Sequence, residues 1–477
     1  MTETPAKPAP QDTASAAITD FGIDTTSMST GEAISDYLSR LRAGQLGSLP
    51  ALLGLAVLVI LFAALSDSFF TLNNIANLFA QGAGQTIIAM GIVFVLLLGE
   101  IDLSAGTASG VCASIMALHY VKGGNLLGTL GTGVFITFLV VLVLAAVLAA
   151  LQRIWAGAVI SLIGVVVILS GATANAWLEM LLAICVGCAI GCITGALVSK
   201  IGMPSFVVTL ALFIVWQGVI IQFIGEGGTL GISTDPVLDA VANGNLSIAG
   251  SWILFVVGAG GFSAVALGQH FSRLKRGLVT QPTPLVLTKV GVVVLISAVA
   301  TYLMTINRAQ NANIVIEGVP YVVPIVLVLL TIGTYTLNRT QYGRHIYAVG
   351  GNKEAARRAG INVPKIRTSV FIIGSTVAAI GAIVYSSKIG SVNPQSGGLN
   401  TLLFAVGAAV IGGTSLFGGK GRVFDAVIGG LVLAVVTNGL GLLGQPAAVV
   451  SIITGLVLLL AASVDALSRR RAAAAVR

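Results

Sequence analysis

Two carboxylates are the first candidates for chemistry, because Glu100 and Asp102 lie in the stretch GEIDLSAG between two apolar runs. A carboxylate at the centre of a bilayer costs about 2.5–3.5 kcal/mol, so it needs a cavity, a partner or a break in a helix. Gly99 and Gly106 flank the pair, and Asp102 or Ser104 can cap the first N–H groups of the following helix. The pattern predicts either a broken helix beside a substrate path or a helix cap at the cytoplasmic edge.

A second candidate is the stretch 339–367, which carries seven basic residues and one acid, Glu354. Asn352 can cap a short helix from Lys353 to Arg358, and Gly360 can end it. Such a loop is too long and too ordered to be only a connector. It is either a docking element for a cytoplasmic partner or a basic segment that faces the cytoplasm and anionic lipid.

Other patterns indicate packing. The stretch IGGTSLFGGKGR (411–422) has Thr414 and Gly421 where a P-loop needs Gly and Ser or Thr, so we interpret it as a tight turn and expect no nucleotide site in this chain. Cys185, Cys188 and Cys192 share one helix face and alternate with glycines, which is typical of close helix packing rather than of a metal site.

Isolated polar residues give no catalytic or metal-binding set. The three histidines are each near the end of an apolar run, where an interfacial position is expected (His119, His270 and His345). Glu179 begins one run and Gln217 lies inside another, and each either lines a pore or joins two helices. The chain lacks a paired nucleophile and base, so we expect no enzyme and no catalytic residue.

Composition restricts the class of protein. Of 477 residues, 56% are hydrophobic and only 9% are charged, with a mean hydropathy of +1.00. Soluble domains carry roughly 25% charged residues, so a soluble enzyme and a disordered protein are excluded. The net charge of +8 comes from basic residues at the ends of apolar runs, which indicates membrane orientation and not nucleic-acid binding.

The expected fold is all-α and polytopic, because the apolar runs are continuous rather than alternating. About 14 stretches are long enough to span a bilayer, or 12 if 130–173 does not form two spans. The predicted spans are 50–66, 83–99, 103–121, 130–151, 154–173, 176–198, 205–224, 251–269, 286–306, 319–338, 367–387, 400–416, 424–443 and 446–465.

Basic residues place both termini in the cytoplasm. We expect a largely disordered tail over 1–49 with a short helix at Ile34–Leu41, a membrane domain over 50–467, and a basic cytoplasmic tail over 468–477. Loops 225–250 and 307–318 are then external, and loop 339–366 is cytoplasmic. The amphipathic segment 71–82 is expected either at the outer interface or as a plain linker.

Four stretches in order carry a resemblance to a known family: GEIDLSAG, KIGMPSFVVTLALFIVWQGV (200–219), YGRHIYAVGGNKEAARRAGIN (342–362) and VIGGTSLFGGKGRV (410–423). They resemble the permease subunits of bacterial sugar ABC importers of the ribose, xylose and arabinose group, and are most similar to the xylose-type permeases. The resemblance covers roughly residues 70–465. Ala105, Thr107 and Phe417 depart from the usual family residues, which bears on the identity of the sugar.

The resemblance implies a multi-pass permease of the bacterial inner membrane that carries a monosaccharide, with a pentose such as xylose as the expected cargo. It implies a cytoplasmic ATPase subunit that binds ATP and Mg, an external sugar-binding protein, a second permease copy and membrane lipid as partners, with no cofactor in this chain. Carried over onto this sequence, the membrane motif falls on Glu100, Asp102 and Ser104. The ATPase-coupling segment falls on Gly350, Gly351, Asn352, Glu354, Ala355, Ala356 and Gly360.

Two mechanisms stay open from the sequence. In the first, the partner ATPase pushes on the helix at 353–358 and shifts the permease between inward-open and outward-open states. In the second, the chain is a proton-coupled secondary transporter that uses Glu100 or Asp102 as a proton relay.

Overall fold

The computed structural model describes residues 30–32, 35, 39, 48–278, 280–309, 311 and 313–474. The predicted disorder of the tail 1–49 and the helix predicted at Ile34–Leu41 therefore fall almost wholly outside the described residues. Two short strands, β1 (Leu230–Gly231) and β2 (Ser391–Val392), pair antiparallel with Leu230 opposite Val392. The described helices are, in chain order, α1 Leu49–Leu65, α2 Leu72–Leu97, α3 Ala105–Val121, α4 Leu126–Leu151, α5 Trp155–Leu169, α6 Ala176–Ala196, α7 Ser205–Ile224, α8 Pro236–Asn243, α9 Ile248–Phe255, α10 Gly261–Lys275, α11 Thr283–Thr305, α12 Val322–Arg339, α13 Gln341–Gly351, α14 Lys353–Arg358, α15 Val363–Ile389, α16 Leu399–Gly412, α17 Val423–Leu442 and α18 Ala447–Ala474.

The apolar helices correspond to the predicted spans. In the described part of the chain, nine helical segments are long and apolar enough to cross a bilayer, and five shorter apolar helices accompany them. Each of the fourteen predicted spans matches one of these helices. The stretch 130–173 contains α4 and α5 with a turn at 152–154 between them; α4 is long enough to cross a bilayer, and α5 is one of the shorter apolar helices. The all-α polytopic fold is confirmed, and the number of spans stays a prediction. Orientation in the membrane stays a prediction.

Internal contacts divide the chain into two units. The described residues of Met1–Arg40 and Phe255–Ala298 form one, and those of Leu41–Leu254 and Val299–Arg477 form the other. In the first unit, His270 Nε2 and Thr283 Oγ1 are 3.0 Å apart, which joins α10 to the start of α11. The second unit holds the site described below.

Segment 71–82 is the beginning of α2, so the plain-linker alternative is wrong, and a position at the outer interface stays a prediction. Thr71 accepts a hydrogen bond from Asn74 N and caps the helix. Asn74 and Asn438 of α17 exchange side-chain amide hydrogen bonds of 3.0 and 2.9 Å. About two turns further along α2, a Cβ added at Gly82 would lie 2.6 Å from Ala434 Cβ of α17. The polar face of this segment is therefore satisfied by α17.

Close packing of α6 explains its alternating glycines and cysteines. A Cβ at Gly191 would lie 2.6 Å from Ile372 Cα, and one at Gly195 would lie 2.8 Å from Thr368 Cα, both in α15. On the α5 side, Cys188 Sγ lies 3.7 Å from the Gly157 carbonyl oxygen. The packing interpretation of this motif is confirmed: glycine admits the α15 backbone, and the buried thiols face α5.

The substitution Gly191→Ala should destabilise the protein, because its new methyl group meets backbone atoms that cannot rotate away. Overpacking of this kind typically costs about 1–3 kcal/mol. Gly218→Ala in α7 is the matched control, because no atom lies within 4 Å of its added Cβ and alanine favours helix. We expect a lower melting temperature in detergent for Gly191→Ala only. Equal melting temperatures would contradict the packing described here.

Candidate functional site

A non-helical segment, 98–104, interrupts the path from α2 to α3 and is called the inner break here. Its backbone is satisfied by α7: Ile101 N donates to Ser205 Oγ at 3.4 Å, and Thr209 Oγ1 donates to the Ile101 carbonyl at 3.2 Å. Asp102 Oδ1 accepts hydrogen bonds from Ser104 N at 2.9 Å and from Ser104 Oγ at 2.6 Å. Of the two predicted caps for α3, Asp102 is the acceptor, and Ser104 is its donor.

The contacts with α7 show how far along that helix α3 begins. Ile101 lies beside the first turn of α7, whereas Gly110 lies beside Ile220, whose Cδ1 is 2.6 Å from the position of a Cβ at Gly110. Ser205 and Ile220 are about 22 Å apart along an ideal helix, so α3 begins beyond the first turn of α7 and runs alongside the rest of it. The broken helix beside a substrate path and the cap at the cytoplasmic edge both stay predictions.

A second non-helical segment, 390–398, connects α15 to α16 and is called the outer break. It starts at β2 and continues to α3, where the Gly397 backbone lies against Gly106 and the Ser396 carbonyl lies against Gly110. Gln217 Nε2 of α7 donates to the Pro394 carbonyl at 2.8 Å. The outer break thus packs against the first turns of α3, which directly follow the inner break.

Polar side chains lie in and next to the outer break. Gln217 is half-buried, and Gln395 and Asn400 are exposed, next to the exposed apolar residues Leu399 and Leu403. Amide side chains both donate and accept hydrogen bonds, as the hydroxyl groups of a sugar do.

Three glycine-rich segments meet on the side of the inner break predicted to be cytoplasmic, and we call this the glycine junction (Gly99, Gly350, Gly418 and Gly419). Gly419 N donates to the Leu97 carbonyl at 2.9 Å. A Cβ at Gly418 would lie 2.7 Å from Gly99 N and 2.9 Å from the Gly350 carbonyl oxygen, and Gly418 also has a φ of +85°. Only glycine fits this position. The tight turn predicted at 411–422 is confirmed, and it packs against both other motifs.

Beside the glycine junction, Glu100 binds two cations, and these three residues form the charge cluster. Lys353 Nζ of α14 and an Arg367 guanidinium nitrogen of α15 each lie 2.7 Å from Glu100 Oε1. Burial alone would raise the pKa of Glu100, but hydrogen bonds from Lys353 and Ser205 and the charge of Arg367 outweigh it and lower the pKa. Glu100 is therefore an ionised anchor.

The basic loop 339–366 is almost entirely helical. The predicted helix α14 is confirmed with its bounds: Asn352 Oδ1 accepts from Ala355 N at 2.9 Å, and the helix is followed by Gly360 with a φ of +81°. Gly351, Asn352, Glu354, Ala355 and Gly360 are exposed, whereas Ala356 is buried and Gly350 packs in the glycine junction. α14 thus presents an exposed surface on a buried base.

Comparison with known proteins identifies the family. The family model of the permease component of branched-chain amino acid transport systems matches residues 154–462. The chain belongs to this family of transport permeases. The permease is 30% identical over 407 residues to the xylose transport system permease protein of Escherichia coli strain K12, which covers 85% of this chain and 87% of the relative. The predicted resemblance and the multi-pass membrane location are confirmed.

Two further relatives agree. The xylose transport system permease protein of Haemophilus influenzae is 30% identical over 424 residues, or 88% of this chain and 96% of the relative. The ribose import permease protein of Escherichia coli strain K12 is 28% identical over 415 residues, or 87% and 92%. No solved structure matches the permease significantly.

Sequence reasoning about the permease missed several functional contacts. It did not predict α13, although Thr340 caps this helix and Ile346 and Val349 bury one face of it. It did not predict the outer break, whose sequence signal is the stretch NPQSGG at 393–398. It also gave no partner for Glu100, because Lys353 lies 253 residues away in sequence.

The expectation that His119 is isolated at an interface is wrong. Its Nδ1 lies 2.7 Å from Glu179 Oε1, and the two side chains are 2% and 0% exposed. This contact joins α3 to α6, so Glu179 joins two helices. Gln217 also joins elements, because it binds the outer break.

Glu100→Gln should destabilise the permease, because it leaves the Arg367 guanidinium, 17% exposed, without its counter-charge. Removing one partner of a buried pair typically costs about 3–5 kcal/mol. Thermal unfolding in detergent should show a large loss for Glu100→Gln and almost none for Glu354→Gln, whose side chain is 64% exposed. The double variant Glu100→Gln/Arg367→Gln should recover part of the loss.

The difference in thermal stability between the wild type and Glu100→Gln should depend on pH. The lowered pKa means that Glu100 stabilises the folded state above its ordinary value of 4.5 and loses this effect as the pH falls through the folded-state pKa. The difference between wild type and Glu100→Gln should therefore shrink under acid conditions. A difference that is independent of pH would contradict the ionised anchor.

Proposed function

We propose that this permease is the membrane subunit of an ATP-binding-cassette importer for a monosaccharide, with a pentose such as xylose as its cargo. An external binding protein delivers the sugar, and a separate ATPase subunit that binds ATP and Mg drives transport. A second copy of the permease completes the path. The named relatives, which are xylose and ribose permeases, support the substrate class.

The observation that carries this proposal is that α14 has an exposed outer surface and a buried base. Its exposed surface includes Glu354 and Arg357, which pair at 2.9 Å while staying 64% and 69% exposed. Its base is held by buried Ala356 and by the glycine junction next to Gly350. A six-residue helix that is fixed at its base and exposed on its outer side suits a push from a soluble partner.

The polar lining of the two breaks supports a sugar as the cargo. Gln217, Gln395 and Asn400 offer amide groups without a formal charge. A neutral sugar needs such groups in only small number, because in this proposal the binding protein supplies the selectivity. Weak binding also allows the sugar to leave the path quickly.

The alternative is a proton-coupled transporter that uses Glu100 or Asp102. Glu100 fits this poorly, because two cations hold it in the ionised form. Asp102 is buried and already accepts two hydrogen bonds from Ser104, which is the arrangement of a helix cap.

Reversing the charge of Glu354 tests the docking role of α14. We expect Glu354→Lys to weaken co-purification of the ATPase subunit from native membranes and to reduce sugar-stimulated ATP hydrolysis in the reconstituted complex. The exposed surface changes while the folded core does not, so the melting temperature should stay close to that of the wild type. Lys200→Gln, an exposed change outside the loop, is the control. Unchanged coupling in Glu354→Lys would count against the proposal.

Substituting Asp102 separates the two mechanisms. Asp102→Asn keeps an oxygen that can accept from Ser104, so ATP-driven uptake of labelled xylose in proteoliposomes should persist at a similar rate. A proton relay predicts a different result: uptake driven by a pH gradient in the absence of the ATPase, which Asp102→Asn abolishes. Observing that uptake in the wild type would overturn the importer proposal.

A further inference from the structure

We propose that the charge cluster is the mechanical link of this permease, and that Glu100 is a positioning residue that transmits movement of α14 to the broken start of α3. This inference rests on the proposed function, because it names the route inside the chain along which the push of an ATPase travels. The residues that dock the ATPase, such as Glu354, are then different from the residues of the charge cluster that transmit the movement.

The geometry of the cluster carries the inference. Lys353 Nζ and the Arg367 guanidinium both bind the same oxygen, Glu100 Oε1, at 2.7 Å. Lys353 is the first residue of α14, and Arg367 lies in the first turns of the 27-residue helix α15. One carboxylate therefore joins the exposed helix, a long spanning helix and the inner break.

The inner break converts a shift of Glu100 into a change beside the path. Ile101, the next residue, is held only by two hydroxyl groups of α7, at 3.4 and 3.2 Å among the described contacts. Asp102 follows and caps α3 through Ser104. In this proposal, movement of Glu100 strains the contacts with α7 and shifts the start of α3, where Gly106 packs against Gly397 of the outer break.

The two cations of the cluster differ in burial, so the contact with α14 can be removed without destabilising the fold. The Lys353 side chain is 48% exposed, whereas the Arg367 side chain is 17% exposed. Replacing Lys353 leaves the buried pair of Glu100 and Arg367 intact. Such a variant removes the arm that leads to α14 without leaving a buried charge alone.

The test measures accessibility of the break. Leu399 is 57% exposed beside the outer break and the four native cysteines are buried, so Leu399→Cys introduces an accessible thiol. The rate at which a maleimide labels this thiol is measured in the complex purified with its ATPase, with and without ATP and vanadate. Three changes are added to this background: Lys353→Gln, Lys353→Arg, and Lys200→Gln as a control that removes one exposed positive charge elsewhere.

We expect ATP and vanadate to change the labelling rate in the background, in Lys353→Arg and in Lys200→Gln. In Lys353→Gln the ATPase should still co-purify and hydrolyse ATP, but the nucleotide-dependent change in labelling rate should be largely lost, because the contact between α14 and Glu100 is removed. The proposal is overturned if Lys353→Gln responds as Lys200→Gln does, or if it releases the ATPase and so acts in docking. Absence of any co-purified ATPase in the wild type would instead refute the proposed function.

Discussion

A backbone that leaves the helical state inside a bilayer must find other hydrogen-bond partners, since lipid offers none. The permease has two non-helical segments between its apolar helices, the inner and outer breaks, and both form hydrogen bonds with α7. Ser205 and Thr209 of α7 bind the inner break at Ile101, and Gln217 of the same helix binds the outer break at Pro394. α7 therefore holds both breaks through side chains on one helix.

A buried charge also needs partners, and Glu100 is the example in this permease. Glu100 is tolerated because two cations bind it, and these cations come from the helices that lie next to it on the predicted cytoplasmic side. The glycine junction allows this, because backbone contacts at Gly99 and Gly418 bring the turn, α13 and the inner break within van der Waals distance. Close backbone packing and charge pairing thus occur at the same place, because the glycine contacts bring the charged segments together.

The sequence predicted what depends on local pattern. Long apolar runs located the helices, and Asn352 and Gly360 located both ends of α14. Contacts between distant segments were not predictable in this way. The partner of Glu100 depends on how α2, α14 and α15 pack, and the pairing of His119 with Glu179 depends on α3 lying beside α6. The helical contact of segment 71–82 was not predictable for the same reason, because the amide that binds Asn74 belongs to Asn438 of α17.

The division of labour in the proposed importer follows from these two features. The breaks offer amides and backbone groups, which suit a neutral cargo and cannot by themselves perform work. The charge cluster lies between the breaks and the exposed helix α14, and its anion is held ionised by its cations. A proton relay needs a carboxylate that exchanges its proton during the cycle, whereas a mechanical link needs one that stays charged. The pairing of Glu100 favours the second role, and so it favours an energy source that acts from outside the permease.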